Sequence, residues 1–292
     1  MKIKELLGVI SGRLSSAGIE EAGLEAELLT RHALNLDAVA VLNNLNKELT
    51  SQKEQLLREI MQRRLSGEPL AYITGRREFY GLEFAVNPHV LIPRPETEHL
   101  VEKAIELAQQ IHSPIIADIG TGSGAIAVSL AGNLPNARIY ATDISPEALE
   151  TARSNAARHK VASRITFLLG DLGAPLPEPT DILIANLPYV KSIDCASSPE
   201  PHLALDGGKD GLDVIERLCA GLKGKLKPGG WALLEIGQGQ EEAVKRLLRA
   251  ALPSAQIGTL KDLAGIKRVV WAYAFGYSTS LRTDAYSCFD KK

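Results

Sequence analysis

The chain has little cysteine: Cys195, Cys219 and Cys288 are the three in 292 residues, far apart and with no C-x-x-C pair. Such spacing supplies neither a zinc-ligand set nor a disulfide framework, so reduced thiols and no resident metal are expected. Long hydrophobic runs are also missing, since no apolar stretch of the sequence approaches the ~18 residues of a membrane span. The opening MKIKELLGVI has no extended apolar core and no small-residue cleavage site, so it does not read as a secretory signal. A cytoplasmic chain is the expectation. Nor is there an excess of one charge: 33 Lys and Arg stand against 35 Asp and Glu, a formal net of -2. That balance gives no global attraction to a phosphate backbone and weighs against nucleic acid as the main substrate. What is present is 45% hydrophobic and 23% charged residues over a length that suits two domains, each with a core of its own.

Two halves differ in period. KIKELLGVISGRL, IEEAGLEAELLTRHAL and SQKEQLLREIMQRRL repeat apolar residues at three and four, as amphipathic helices do, and Thr50-Ser51 reads as a helix start. A small helical bundle is expected there, with no catalytic cluster; it is either a packing module or a docking surface for a large substrate. Residues 1–80 carry 11 Lys and Arg against 11 Asp and Glu, so this half is no nucleic-acid clamp by charge. AYITGRREFYGLEFAV holds two β-rich runs around Tyr80-Gly81 and predicts a hairpin. In HVLIPRPETEHLVEKAIELAQQ, Pro95 suits a first helical turn and Glu96 and Glu98 its positive end. Strands and helices alternate from there: PIIADIG, GAIAVSLAGNL, RIYATDI, PEALETARSNAARHK, RITFLLGD and DILIAN. After a long loop come a helix near 211–226, WALLEIG, the helix EEAVKRLLRAAL, a weak strand near 255–260, and KRVVWAYAF. This alternation predicts an α/β domain with a doubly wound, mainly parallel sheet whose ligands bind at the carboxyl ends of the strands. Asp118, Asp143, Asp171 and Asn186 all fall at predicted strand ends, on one edge.

ADIGTGSGAIAVSL places Gly120, Gly122 and Gly124 at every second position between a strand and a helix, interleaved with Thr121 and Ser123. Glycine lets the backbone turn sharply and lets a ligand approach where a Cβ would collide, which implies a nucleotide-like cofactor. Dinucleotide sites prefer G-x-G-x-x-G and a pyrophosphate at the helix start; here the third glycine comes one residue early and Asp118 precedes the loop. A carboxylate repels a pyrophosphate and favours the ammonium and sulfonium of S-adenosylmethionine. Asp143 is placed to accept from both ribose hydroxyls, a mark shared with nicotinamide enzymes. Asp171 could accept from an adenine amino group while Leu172 packs on the ring. In IANLPYV an apolar strand breaks off into Asn186, Leu187, Pro188 and Tyr189. Asn186 Oδ1 and a neighbouring carbonyl could grip an acceptor NH2 and aim its lone pair at a methyl group; Pro188 stiffens the turn and Tyr189 offers a flat face to a planar amide or base.

Over nearly the whole chain to about residue 275 the sequence resembles the protein-(glutamine-N5) methyltransferases of peptide chain release factors, called HemK or PrmC. The segments that carry the likeness are GEPLAYITGRREFYGLEF, VLIPRPETEHLV, DIGTGSGAIAVSLA, NLPYV, EPHLALDGGKDGLDVI, LLEIGQGQ and DLAGIKRVV. The resemblance implies a class I S-adenosylmethionine-dependent methyltransferase with a Rossmann-like seven-stranded sheet, and an N-terminal helical domain joined to it by a β-hairpin. On that basis residues 1–70 form the helical domain, 71–93 the hairpin linker, 94–277 the methyltransferase domain and 278–292 a flexible tail. It also implies methylation of the glutamine in the Gly-Gly-Gln motif of release factors. Asp118, Gly120, Thr121, Gly122, Ser123, Gly124, Asp143, Asp171, Leu172 and Asn186 would then line the cofactor. Asn186, Leu187, Pro188 and Tyr189 would hold the glutamine amide, with Asn186, Pro188 and Tyr189 as the catalytic set.

One residue departs from the family pattern. The usual tetrad is Asn-Pro-Pro-Tyr, and Leu187 stands at its second position. A backbone carbonyl role survives that exchange, but Asn-Leu-Pro-Tyr also resembles the tetrad of the ribosomal RNA adenine-N6 dimethyltransferases. Those enzymes lack the RPETE and DGGKDGLDVI segments. An adenine-N6 methyltransferase acting on RNA or DNA stays as the alternative, with a cofactor-binding protein devoid of transfer activity as a third reading.

Overall fold

The computed structural model describes residues 1–275; the expected tail at 278–292 and Cys288 lie outside the described residues. The chain divides into two units, Met1–Arg76 and the residues from Arg77 onward.

The first unit is helical: α1 (Ile3–Ser16), α2 (Ala22–Leu34), α3 (Ala38–Asn43), α4 (Ser51–Leu65) and α5 (Leu70–Thr74). In α1 the apolar spacing turns Ile3, Leu6, Ile10 and Leu14 to one side, and all four are buried. Glu5 reaches back to accept the Lys2 N–H at 2.9 Å, fixing where the helix starts. Asn35 ends α2 in a left-handed conformation, and Asp37 caps α3 by accepting the Ala40 N–H at 2.7 Å. Arg64 of α4 holds Glu25 of α2 with two nitrogens, at 2.7 and 3.1 Å, a fork geometry that fixes the two helices against each other. Residues 71–74, expected within the hairpin segment, belong to α5 instead. Pro69 starts it, Gly75 ends it in a left-handed conformation at φ 72°, and Ile73 joins the buried core of this unit.

The second unit opens on a two-stranded ribbon, β1 (Arg76–Phe79) and β2 (Leu82–Ala85). Tyr80 and Gly81 connect them at φ 51° and 69°, the paired positive values of the two-residue turn whose twist matches its strands. Glu98 accepts the Tyr80 N–H at 2.8 Å, which satisfies the strained residue's backbone. Thereafter come a 3-10 turn Pro95–Thr97, α6 (Glu98–Ala108), β3 (Ile115–Ile119), α7 (Ala125–Asn133), β4 (Arg138–Asp143), α8 (Pro146–Arg158), β5 (Ile165–Leu169) and β6 (Thr180–Ala185). Short helices α9 (Ser192–Cys195) and α10 (His202–Leu205) interrupt the expected long loop. The chain goes on through α11 (Asp213–Ala220), β7 (Leu226–Glu235), α12 (Glu241–Ala251), β8 (Gln256–Lys261) and β9 (Lys267–Tyr273). The seven strands run β5-β4-β3-β6-β7-β9-β8, parallel except for β9, which is antiparallel to both neighbours.

Both faces of this sheet are buried, as parallel strands require. Along β6, Ile182 and Ile184 enter one core with Phe79 and Phe84 of the ribbon, while Leu183 and Ala185 enter the other with Ile215 of α11 and Val244 of α12. Strand order reverses between β3 and β6, which opens a crevice at their carboxyl ends.

The ribbon is tied to the sheet by Asn155 of α8, which is fully buried. Its Oδ1 accepts the Ala85 N–H at 2.8 Å, and its Nδ2 donates to the Ala85 and Ser123 carbonyls at 2.9 Å each. One amide thus couples the ribbon to the glycine loop. Asn155→Ala leaves the buried Ser123 carbonyl and the half-buried Ala85 N–H and carbonyl without their partner, and is expected to lower unfolding free energy by ~1 to 3 kcal/mol for the buried group, with less for each half-buried one. Urea denaturation checks this; a loss under about 0.5 kcal/mol, the range of an indifferent surface change, would mean water replaces the amide.

Candidate active site

The carboxyl edge of the sheet carries a cavity of about 770 Å³. Gly120, Thr121, Gly122 and Ser123 form one wall, Asp143, Asp171 and Leu172 another, and Asn186, Leu187 and Pro188 a third. Three of the expected residues, Asp118, Gly124 and Tyr189, do not line it.

Past the end of β3 the Gly120 and Thr121 N–H groups both donate to the Thr142 carbonyl at 2.9 Å, which folds the loop back over β4. Gly120 has φ 73°, and a Cβ there would sit 3.0 Å from Leu187 Cδ2. Gly124 starts α7 at φ 79°, where a Cβ would meet Ala152 at 3.0 Å, so its glycine serves close packing of α7 on α8.

Asp118 is fully buried, and its Oδ1 has no hydrogen-bond partner. Its Oδ2 accepts the Thr121 hydroxyl at 2.6 Å and the Ala127 N–H at 3.2 Å, binding the glycine loop to α7 from behind. Burial pushes its pKa up to about 7, with those two hydrogen bonds opposing.

Asp143 ends β4 on the cavity wall. Its Oδ2 accepts the Gly122 N–H and its Oδ1 the Ser145 N–H, each at 2.9 Å, and burial raises its pKa despite them. A carboxylate offers about four acceptor sites, so capacity for hydroxyl donors is left. Asp171 lies at the wall with its carboxylate paired to Arg217 of α11. Leu172 follows at φ 48°, and its carbonyl accepts the Thr142 hydroxyl at 2.9 Å.

Asn186 follows β6. Its Nδ2 donates to Thr97 Oγ1 at 3.0 Å. Leu187 is buried, its side chain against Gly120, so the residue that departs from the family tetrad packs on the glycine loop. The Tyr189 hydroxyl donates to Glu235 Oε1 at 3.3 Å, and burial lifts its pKa to about 12, which removes it as an acid or base at neutral pH.

The segment 205–213 backs the tetrad. Val190 bonds Leu205 and Gly207, Asp213 donates to the Gly207 carbonyl at 2.8 Å, and a Cβ on Gly207 would lie 2.7 Å from the Pro188 carbonyl oxygen. Gln240 completes the support: its Nε2 donates to the carbonyls of Tyr189 at 3.2 Å and Gly211 at 3.0 Å. Glu200 accepts the Ile92 N–H at 3.0 Å and pairs with Arg94, joining the segment before α6 to the approach to α10. Sequence reasoning missed Thr97, Glu200, Glu235 and Gln240. Glu235 alone left a signal, a charged residue closing an apolar strand as Asp143 does.

The PrmC N-terminal domain family matches residues 5–75, and a methyltransferase domain family matches residues 114–244. The release factor glutamine methyltransferase of Moorella thermoacetica is 45% identical over 279 residues, which covers 94% of this chain and 99% of that protein. The chain belongs to the release factor glutamine methyltransferases. That of Bradyrhizobium diazoefficiens is 41% identical over 90% of this chain and 92% of its own. Among solved structures, the hMettl16 catalytic domain in complex with an RNA hairpin superposes with a TM-score of 0.56 over 76% of this chain and 84% of its own, at 16% identity, a likeness of fold alone. As in other class I methyltransferases the cofactor is S-adenosylmethionine. Among the described residues no group of three or more His, Cys, Asp and Glu could hold a metal ion, and no helix is long and apolar enough to cross a membrane.

In this release factor glutamine methyltransferase, Asp143→Ala removes an acceptor from the wall and frees the Gly122 and Ser145 N–H groups. It is expected to weaken S-adenosylmethionine binding by ~1 to 3 kcal/mol, the scale of lost charge-assisted hydrogen bonds. Calorimetry on the folded variant decides; unchanged affinity would take Asp143 out of the site.

Proposed function

We propose that this chain transfers the methyl group of S-adenosylmethionine to the side-chain amide nitrogen of the glutamine in the Gly-Gly-Gln motif of peptide chain release factors. The observation that carries the reading is the orientation of Asn186: with Nδ2 given to Thr97, Oδ1 is left to accept, on the wall that adjoins the glycine loop. The names borne by the relatives point to the same acceptor.

The residues present fit the cofactor. Gly120 and Gly122 bring bare backbone to the cavity, and the carboxylate of Asp143 keeps acceptor capacity for ribose hydroxyls. When bound, S-adenosylmethionine supplies a methyl group made electrophilic by its sulfonium. Everything else falls to the chain. An amide nitrogen is a poor nucleophile because its lone pair is delocalised into the carbonyl. Asn186 Oδ1 and the Leu187 carbonyl, taking the two N–H bonds of the acceptor, would draw electron density toward that nitrogen and hold its lone pair in line. Gln240 and the glycines at 207 and 211 keep the tetrad in place from behind.

The helical unit is assigned the docking of the release factor. Its charge balance suits a protein partner rather than phosphates, and it presents exposed Leu24, Val39 and Leu42. The ribbon at 76–85 would be the connection to the methyltransferase unit. Since release factors act at translating ribosomes, the reading implies a cytoplasmic enzyme.

Asn186→Ala is expected to slow methyl transfer by ~10² to 10³, the effect of deleting one preorganised hydrogen-bond acceptor from a closed site, with a much smaller change in cofactor affinity. Labelled S-adenosylmethionine, purified release factor and peptide mapping provide the test. Label on the Gly-Gly-Gln glutamine, absent when that glutamine is replaced, is the expected result. Label on RNA or DNA adenine instead would install the adenine-N6 reading that Asn-Leu-Pro-Tyr suggests, and no transfer to either would leave a cofactor-binding protein.

A further inference from the structure

Among the described residues two guanidinium groups line the cavity, those of Arg94 and Arg217, against the carboxylates of Asp143, Glu147, Asp171 and Asp206. Arg217 is paired with Asp171, beyond the end of β5. Arg94 stands at the other end. Its carbonyl accepts the Thr97 N–H at 3.1 Å across the 3-10 turn before α6, and the Thr97 hydroxyl in turn takes the Asn186 amide beyond the end of β6. The order β5-β4-β3-β6 puts three strand spacings between the two places, about 14 Å in all. Arg94 is half-buried and has no part in the mechanism above. Glu200, which is buried, holds it: Oε2 pairs with Arg94 Nη2 while Oε1 accepts the Ile92 N–H at 3.0 Å. A guanidinium has five N–H donors. The pair with Glu200 takes one of them, so enough remain for a two-pronged grip on a second carboxylate.

We infer that Arg94 is a further cofactor-binding residue, which takes the carboxylate on the methionyl group of S-adenosylmethionine. The inference rests on the reading that the adenosyl end lies on Asp143 and Asp171. That reading runs the cofactor across the strand ends, adenine at β5, ribose at β4, and the methionyl group past the glycine loop of β3 toward β6, where Arg94 stands.

Charge makes the same assignment. The carboxylate is the one anionic group of the cofactor, its sulfonium and ammonium being cations. Enclosed among four carboxylates without a counter-charge it would be strongly disfavoured. Backbone N–H groups of a glycine loop often serve anions, but here they are largely spent. Gly120 and Thr121 donate to the Thr142 carbonyl, Gly122 to Asp143 and Gly124 to the Thr121 carbonyl. The proposed acceptor gains less from Arg94, because it is a neutral amide whose NH2 asks for acceptors and a guanidinium only donates. His89 and His202 also line the cavity. Mildly alkaline pH, which strips imidazolium but not guanidinium of its charge, separates them from Arg94.

The experiment measures, at mildly alkaline pH, the calorimetric affinity of the full-length protein for three ligands. They are S-adenosylmethionine, its decarboxylated form, and 5′-methylthioadenosine, which keeps the adenosyl end and lacks the amino-acid portion. Wild type should prefer S-adenosylmethionine to the decarboxylated form by ~10- to 100-fold, the scale of a charge-assisted hydrogen-bonded pair. Arg94→Ala, and the longer uncharged Arg94→Met, should abolish that preference by weakening S-adenosylmethionine, while the decarboxylated form binds at least as well as before. Methylthioadenosine should bind both variants as it binds wild type, which shows that the fold and the adenosyl end are intact. Arg94→Lys should keep part of the preference, since an ammonium carries the charge without the fork. At saturating cofactor the KM for release factor should stay at its wild-type value. Absence of the preference in wild type, or its survival in Arg94→Ala and Arg94→Met, overturns the inference. So does a raised KM for release factor with cofactor affinity unchanged, which would give Arg94 to the acceptor. An Asp143→Ala protein with unaltered affinity for all three ligands overturns the reading beneath it instead.

Discussion

A primary amide carries a donor and an acceptor of nearly the same size on one carbon, and nothing in its own chemistry decides which of them faces outward. Under the proposed function, methyl transfer depends on that choice being made once, at Asn186, before any acceptor arrives. The choice is made by Thr97, held at the start of α6 and buried, which takes the NH2 half of the amide. Preorganisation of this kind matters more for amide methylation than for most group transfers, since the nucleophile is weak and is strengthened only by acceptors already in place. The sheet contributes by setting the distance between parts: β3 and β6 are neighbours with Asp118 opposite Ile184 and Ile119 opposite Ala185, so the glycine loop and the tetrad leave adjacent strands side by side.

Legibility in the sequence followed the length scale of the signal. Helices and strands with a sustained apolar period were readable, and α4 falls on the residues that the pattern marks. So was the edge on which chemistry collects, because strand-end polar residues stand out after apolar runs. The run AYIT misled, since its β-branched and aromatic residues suit a strand; burial of Ala71, Tyr72 and Ile73 and the stop at Gly75 make it helical. The strand WALLEIG begins earlier than its apolar part, at Leu226, because β7 pairs with β6 through a register shift that admits Lys-Pro-Gly-Gly.

Within the site, local sequence named residues but not their directions. Asp118, Asp143 and Tyr189 were all legible as polar groups near the crevice, yet whether each turns to the cavity or to the protein depends on residues far away in the chain. Thr121 and Ala127 turn Asp118 inward, and Glu235 engages Tyr189 across 46 positions. Thr97 was invisible for the same reason, because a lone threonine in a helix start reads as a cap, whereas Glu235 left only its place at the end of an apolar strand. Leu187 is the reverse case. The sequence marked it as a substitute for proline, and packing against Gly120 gives its side chain a place of its own.

The central claim, that Asn186 presents its carbonyl because Thr97 holds its amino group, is open to direct observation. Neutron diffraction from a deuterated crystal carrying the demethylated cofactor and a Gly-Gly-Gln peptide locates both amide deuterons. The account predicts them on Asn186 Nδ2, one directed to Thr97 Oγ1, with Asn186 Oδ1 accepting from the glutamine amide nitrogen at ~2.7 to 3.2 Å. Deuterons of Asn186 pointing at the glutamine, or a glutamine amide held elsewhere in the cavity, would contradict it.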